Sequence, residues 1–238
     1  MRGRINSDVR WLTLMTNDSD FRKIYTSKEN FDKLRSDQKF ARLLNLARTV
    51  NAVYFCFKSL LDHSGDETPA GQRQHINAFL FAAGVLHEGF CVADRLEKHF
   101  GDRDAYRNGF AKLLADANTQ QLRKTILKRM RDKFVFHYDK DVAEQTLKTL
   151  DLNEYVFATG TGGKRKGTYY NLADEIVINY LLNDVPPDEQ DAVFRATLKS
   201  VGDALSAFVD CADTLMGDVL SEDTWTLQRG DTRAAISP

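Results

Sequence analysis

The chain has 238 residues, of which 42% are hydrophobic and 28% charged, with a formal net charge of −1. That is enough chain for one domain, or two, with a real core, at the composition of a soluble globular protein. The three cysteines (Cys56, Cys91, Cys211) are far apart and lack a CxxC pattern, which excludes a disulfide framework or a zinc site and suits buried thiols in a reducing compartment.

Taken in order, residues 1–37 mix apolar pairs such as Trp11-Leu12 and Ile24-Tyr25 with polar residues, and short outer helices are expected there. No apolar stretch follows the basic residues of the first fifteen positions, so no signal peptide is expected. From about Phe40 to Leu61 the residues Leu43, Leu46, Val50, Val53, Phe57 and Leu60 recur in steps of three and four, a helix seam. A loop over Ser64–Gly71 leads to a second long helix carrying Ile76, Phe79, Ala83, Leu86, Phe90 and Ala93, with Gly101 as its C-cap. Its longest apolar run, Ala78 to Leu86, stops at His87-Glu88, well short of the roughly 20 residues of a membrane span. His87 and Glu88 read as a pair bonded within the bundle or at an interface, or as a secondary part of an active groove. A shorter helix over about Asp104–Asp116 is followed by one capped at Thr119 that runs through a basic stretch into Tyr138.

Residues 154–171 break the pattern. Tyr155-Val156-Phe157 and Thr168-Tyr169-Tyr170 have strand composition around the glycine-rich tip of Lys164, Arg165 and Lys166, predicting a small inserted β-hairpin. The tip is no P-loop: Ala158 stands at the first glycine place and Arg165 at the Ser/Thr place. It reads as a solvated turn or as a mobile basic finger on RNA backbone. Helix returns over Leu172–Leu182, and Pro186-Pro187-Asp188-Glu189 open a last long helix with Leu198, Val201, Leu205, Phe208, Ala212, Leu215 and Val219 on its seam. A polar, frayed tail follows. These elements predict an all-α antiparallel helical bundle over 38–221, with a helical extension over 1–37 and a tail over 222–238.

The charge is unevenly spread. Gln121 to Lys133 holds six bases and one acid, whereas Asn171 to Pro238 holds four bases and thirteen acids. The basic stretch would concentrate phosphate groups nearby, or would pack on an acidic helix of this chain or of a second subunit.

The stretch ends in Arg131-Asp132-Lys133-Phe134-Val135-Phe136-His137-Tyr138-Asp139. Arginine offers a planar fork of donors to phosphate, and histidine exchanges its proton nearest physiological pH. Together they suit chemistry on a phosphodiester without a metal. With 18 arginines and 5 histidines in the chain, chance supplies about one such pair, so the surroundings carry the weight: the acid directly after Arg131, aromatics on both sides of His137, and the basic lead-in. With these neighbours the segment resembles the HEPN superfamily, small helical domains marked by an Arg, a polar residue after it, and a His four to six residues on. The resemblance covers about residues 40–145 and 188–220. It implies a dimer with a composite site at the two-fold axis and, in many members, a metal-independent endoribonuclease of a prokaryotic defence or toxin–antitoxin system. Other members are inactive and bind RNA, nucleotide or a protein partner.

On an ideal helix, residues six apart differ by about 240° around the axis, so Arg131 and His137 would meet only through a bend, a long side chain or a second copy. In the chemistry implied, His137 acts as general base or acid on the 2′-hydroxyl or the leaving 5′-oxygen. Arg131 stabilises the charge of the transition state, Asp132 orients Arg131 or the opposing His, and Tyr138 holds a phosphate or a base. Lys128, Arg129, Lys133, Lys164, Arg165 and Lys166 are the expected RNA contacts. No metal and no cofactor are expected, because Glu97 and His99 lack the Glu-x-x-His spacing of metal-binding bundles. The expected partners are RNA, a second copy, and an antitoxin or sensor protein; the expected setting is a cytoplasm, away from membrane. In the purely structural alternative, Arg131 pairs with Asp132 or an acid of the last helix, and His137 caps a helix end.

Overall fold

The structure, a computed structural model, describes residues 23–25, 28–62, 65–66, 68–135, 142, 144, 146, 158–159, 168–169, 171–221 and 228–230. Among these, seven helical elements pack as an all-α bundle. They are α1 (Lys28–Leu34), α2 (Gln38–Asp62), α3 (Pro69–Phe100), α4 (104–115), α5 (117–135), α6 (Asn171–Leu182) and α7 (Gln190–Leu220). Two short antiparallel ladders accompany them. β1 (Lys23–Tyr25) pairs with β4 (Gln228–Gly230), and β2 (Ala158–Thr159) pairs with β3 (Thr168–Tyr169). Apart from β2 and β3, the expected hairpin lies outside the described residues up to residue 170, its tip of Lys164, Arg165 and Lys166 included.

The long helices form where the three-and-four spacing predicts them, and that spacing is what is buried. Leu43, Leu46, Val50 and Val53 of α2 are buried, as are Phe79, Ala83, Leu86, Phe90 and Ala93 of α3 and Val201, Leu205, Phe208, Ala212, Leu215 and Val219 of α7. Phe57, Leu60, Ile76 and Leu198 pack at the margin of this core. α3 is the hub, meeting α2 along its length, α5 on another side, and α7 across the centre. The fully buried rings of Phe90, Phe110 and Phe208 meet edge to face, with centroids 5.8 Å and 5.3 Å from that of Phe208. Gly89 allows this approach: a Cβ there would stand 3.0 Å from Phe208 Cζ and 3.1 Å from Thr49 Cγ2. Over Arg73–Phe100, α3 has the length and apolarity of a membrane span. Here it is the central helix of the bundle.

Helix boundaries depart from expectation at two starts, those of α5 and α7. Asp116, not Thr119, caps α5: its Oδ2 accepts the Thr119 N–H at 2.8 Å, while Thr119 itself lies buried inside the first turn. An aspartate in extended backbone reaches the unpaired amides better than a residue already wound into the helix. Pro186 and Pro187 do not open α7. They form a turn before it, closed by Glu189 N–H to the Pro186 carbonyl at 2.9 Å, and α7 starts at Gln190. Gly101 is the C-cap of α3 as expected, its N–H donating to the Glu97 carbonyl, in the right-handed region (φ −63°) and not the left-handed one common for a glycine cap. At the other end Thr68 caps α3 through its hydroxyl to the Gly71 N–H, with Pro69 behind it.

α4 and α5 are wound unevenly. Wider turns with i→i+5 bonding interrupt them at Arg107–Ala111, Arg123–Leu127 and Arg131–Val135. Such π-turns are uncommon and recur at functional sites.

Candidate active site at the α3–α5 contact

Arg131 opens the last π-turn of α5, where that helix packs on α3. Its Nε–H donates to Glu88 Oε1 at 2.8 Å and its Nη1 donates to Asp132 Oδ1 at 2.8 Å. Two carboxylates therefore fix the plane of the guanidinium. The Nη2 amino group and the second Nη1 proton have no partner among the described residues. The side chain is 36% exposed, so those donors face an accessible surface.

Glu88 reaches Arg131 because α5 runs antiparallel to α3, with Arg123 bonded to Asp94 on one turn and Arg131 to Glu88 further on. His87 precedes Glu88 and is mostly covered, at 18% exposure of its side chain. Its Nδ1 is 3.9 Å from Glu88 Oε1 and 4.0 Å from Cys91 Sγ. Burial, then the Arg131 charge, hold its pKa below the usual imidazole value, against the pull of Glu88 and Asp132. The Arg131 hydrogen bond holds the Asp132 carboxyl below its usual range, with Lys128 and His87 adding to it. Its two carboxylate bonds likewise raise Arg131. The cluster sets the Arg131 guanidinium between two carboxylates, beside an imidazole whose charged form is disfavoured.

Of the residues singled out from sequence, the structure brings Arg131 and Asp132 into direct contact, with Lys128 close enough to act on Asp132. Arg129 turns the other way, its guanidinium 5.6 Å from the centroid of Tyr180 on α6, and so leaves the Arg131 surface. Lys133 is half-buried. His137 and Tyr138 lie outside the described residues. Phe134 packs edge-on against Tyr180 at 5.5 Å. Glu88, which the sequence offers only as a bonded pair with His87 or a secondary part of a groove, is a direct partner of Arg131. Its signal was present, as a polar interruption between Leu86 and Phe90, but its partner lies 43 residues away. No group of three or more His, Cys, Asp or Glu suited to a metal occurs among the described residues. The cysteines are free thiols, and burial raises Cys56 and Cys211 to about 11, which makes them poor nucleophiles.

The chain matches no protein-family model, no curated protein and no solved structure.

Proposed function

We propose that this protein is a metal-independent endoribonuclease of HEPN type, in a prokaryotic defence or toxin–antitoxin setting, acting as a dimer. The observation that carries the reading is Arg131, pinned by Glu88 and Asp132 on a partly exposed side chain, with donors that no other described residue takes up. A guanidinium fixed in advance loses little on receiving a phosphate oxygen, which is how preorganised donors favour a transition state. The π-turn over Arg131–Val135 also supports it, because the ideal helix's step of about 100° does not hold over those five residues. In this reading His137 moves the proton of the RNA 2′-hydroxyl or of the leaving oxygen, Arg131 neutralises the phosphorane charge, and Glu88 and Asp132 position Arg131. The product is a 2′,3′-cyclic phosphate.

One observation favours the second reading, an inactive HEPN-like dimer that binds RNA, nucleotide or a protein partner: the charge of Arg131 is already matched by two carboxylates. The same experiment separates the two. Wild type, Arg131→Ala and His137→Ala are incubated with end-labelled single-stranded RNA in EDTA. The enzyme reading expects cutting by wild type alone, with cyclic phosphate ends and a loss of at least about 100-fold in each variant. Equal residual cutting in all three, or RNA bound and left intact, would sink it.

A further inference from the structure

Between α5 and α7 lies an open cavity of about 630 Å³. A second of about 160 Å³ continues it toward α6. Thr125, Ile126, Val193 and Thr197 line both, so the two form one groove, and Arg131 is not among its lining residues. The lining runs along α5 from the cap Asp116 to Met130, and along α7 from Ala207 back to Val193. At ~1.5 Å per residue each wall is about 20 Å long, or roughly four helical turns.

Three features restrict what fits. The floor is apolar, with Leu122, Ile126 and Val193. The α7 wall presents Ala196, Ser200, Ala204 and Ala207 at steps of four, four and three, hence on one face; such small side chains let a neighbouring helix axis come within about 8–10 Å. The two ends differ in charge. Asp116 and Asp203 line the wide end, where among the described residues no Lys or Arg does, and Arg129 lines the narrow end. Asp203 is shared with Lys199 at 2.6 Å. Asp116 bonds only its own helix terminus, which keeps it ionised. The Asp116 carboxylate, with no ion pair to a described residue, disfavours a nucleotide or an RNA backbone at the wide end.

We propose that the groove receives an amphipathic helix of about four turns from a partner protein. Its apolar face lies on Leu122, Ile126 and Val193, with a basic residue at Asp116 and an acidic one near Arg129. The inference stands apart from the ribonuclease reading, since Arg131, Asp132 and Glu88 are not among the side chains it uses.

The probes are fluorescein-labelled helical peptides of about four turns. One has an apolar face with Lys at one end and Glu at the other. One has the same face with Glu at both ends. One has the bipolar composition with the apolar face scrambled. Anisotropy titration of the full chain is expected to rank the bipolar peptide first, with the other two at least ten-fold weaker. Ser200→Trp, at an exposed wall position, fills the groove and is expected to abolish binding, and Asp116→Lys to weaken it at least five-fold. Gln121→Trp, exposed on the facing wall, repeats the test if Ser200→Trp loses its helical circular dichroism. Absence of binding by the bipolar peptide, equal binding by the scrambled one, or unchanged affinity in both folded Trp variants overturns the proposal.

Discussion

Arg131 shows how much one side chain's partners decide. A free arginine on a helix surface samples many rotamers; here two carboxylates from different helices hold it. If it serves catalysis, the partner that aims it matters more than the one that merely adjoins it in sequence. Glu88→Gln keeps an acceptor oxygen for Nε–H but loses the charge. Its expected effect is a drop in cleavage rate of about ten-fold with RNA affinity unchanged, separable by single-turnover kinetics at saturating protein. The stability cost should stay near 1 kcal/mol or less, since both partners are more than a third exposed. His87 offers a pH test. Its pKa is depressed in the folded state by burial and by Arg131, so the unfolded chain binds a proton first as pH falls. The contribution of neutral His87 is whole above the ordinary imidazole value of about 6.5 and is lost as pH falls through the lower folded value. Wild type should therefore lose more melting temperature than His87→Gln between about pH 7 and pH 5; equal losses would refute the assignment. Arg131 and Asp132 were legible in sequence because they are neighbours. Glu88 was legible only as an oddity, because nothing local says that α5 will lie antiparallel on α3.

At the scale of elements, seams of apolar residues in threes and fours are readable because burial selects them at every turn, and α2, α3 and α7 appear where they predict. Ends and winding are harder. Thr119 and Asp116 are both competent capping residues, and only the backbone of the α4–α5 corner decides between them. The π-turns leave no signature in composition: those of α5 lie where it packs on α3, and that of α4 where it packs on α7. Gly89 is a further case. It stands within a helix, where glycine costs about 1 kcal/mol relative to alanine, and it is retained against that cost by a ring that cannot yield. Phe208 is wedged by Phe90 and Phe110. Gly89→Val should lose about 2 kcal/mol or more by overpacking, read as a lower urea midpoint with unchanged slope. A gain in stability would show that Phe208 has room to move.

For the whole molecule, the bundle was foreseeable and its hub was not. Sequence spacing showed three long helices, but which of them lies at the centre depends on how wide each apolar face is, and α3 is covered from several sides. The interhelical groove was likewise invisible, since its two walls, α5 and α7, are far apart in sequence. Phe208 is the ring that ties α7 to α3 and α4. Phe208→Ala should cost about 3–5 kcal/mol, enough to unfold a large part of the population of a marginally stable domain; a loss below about 1 kcal/mol in chemical denaturation would mean the core closes around the gap.

That same ring has a consequence for synthesis. α2 and α3 are consecutive and can zip together as soon as they leave the ribosome, whereas Phe208 is translated more than a hundred residues after Phe90. At ~5–20 residues per second the wait is several seconds or longer. Through that interval the nascent hairpin carries an uncovered aromatic surface, so the vulnerable species of this protein is its own unfinished chain.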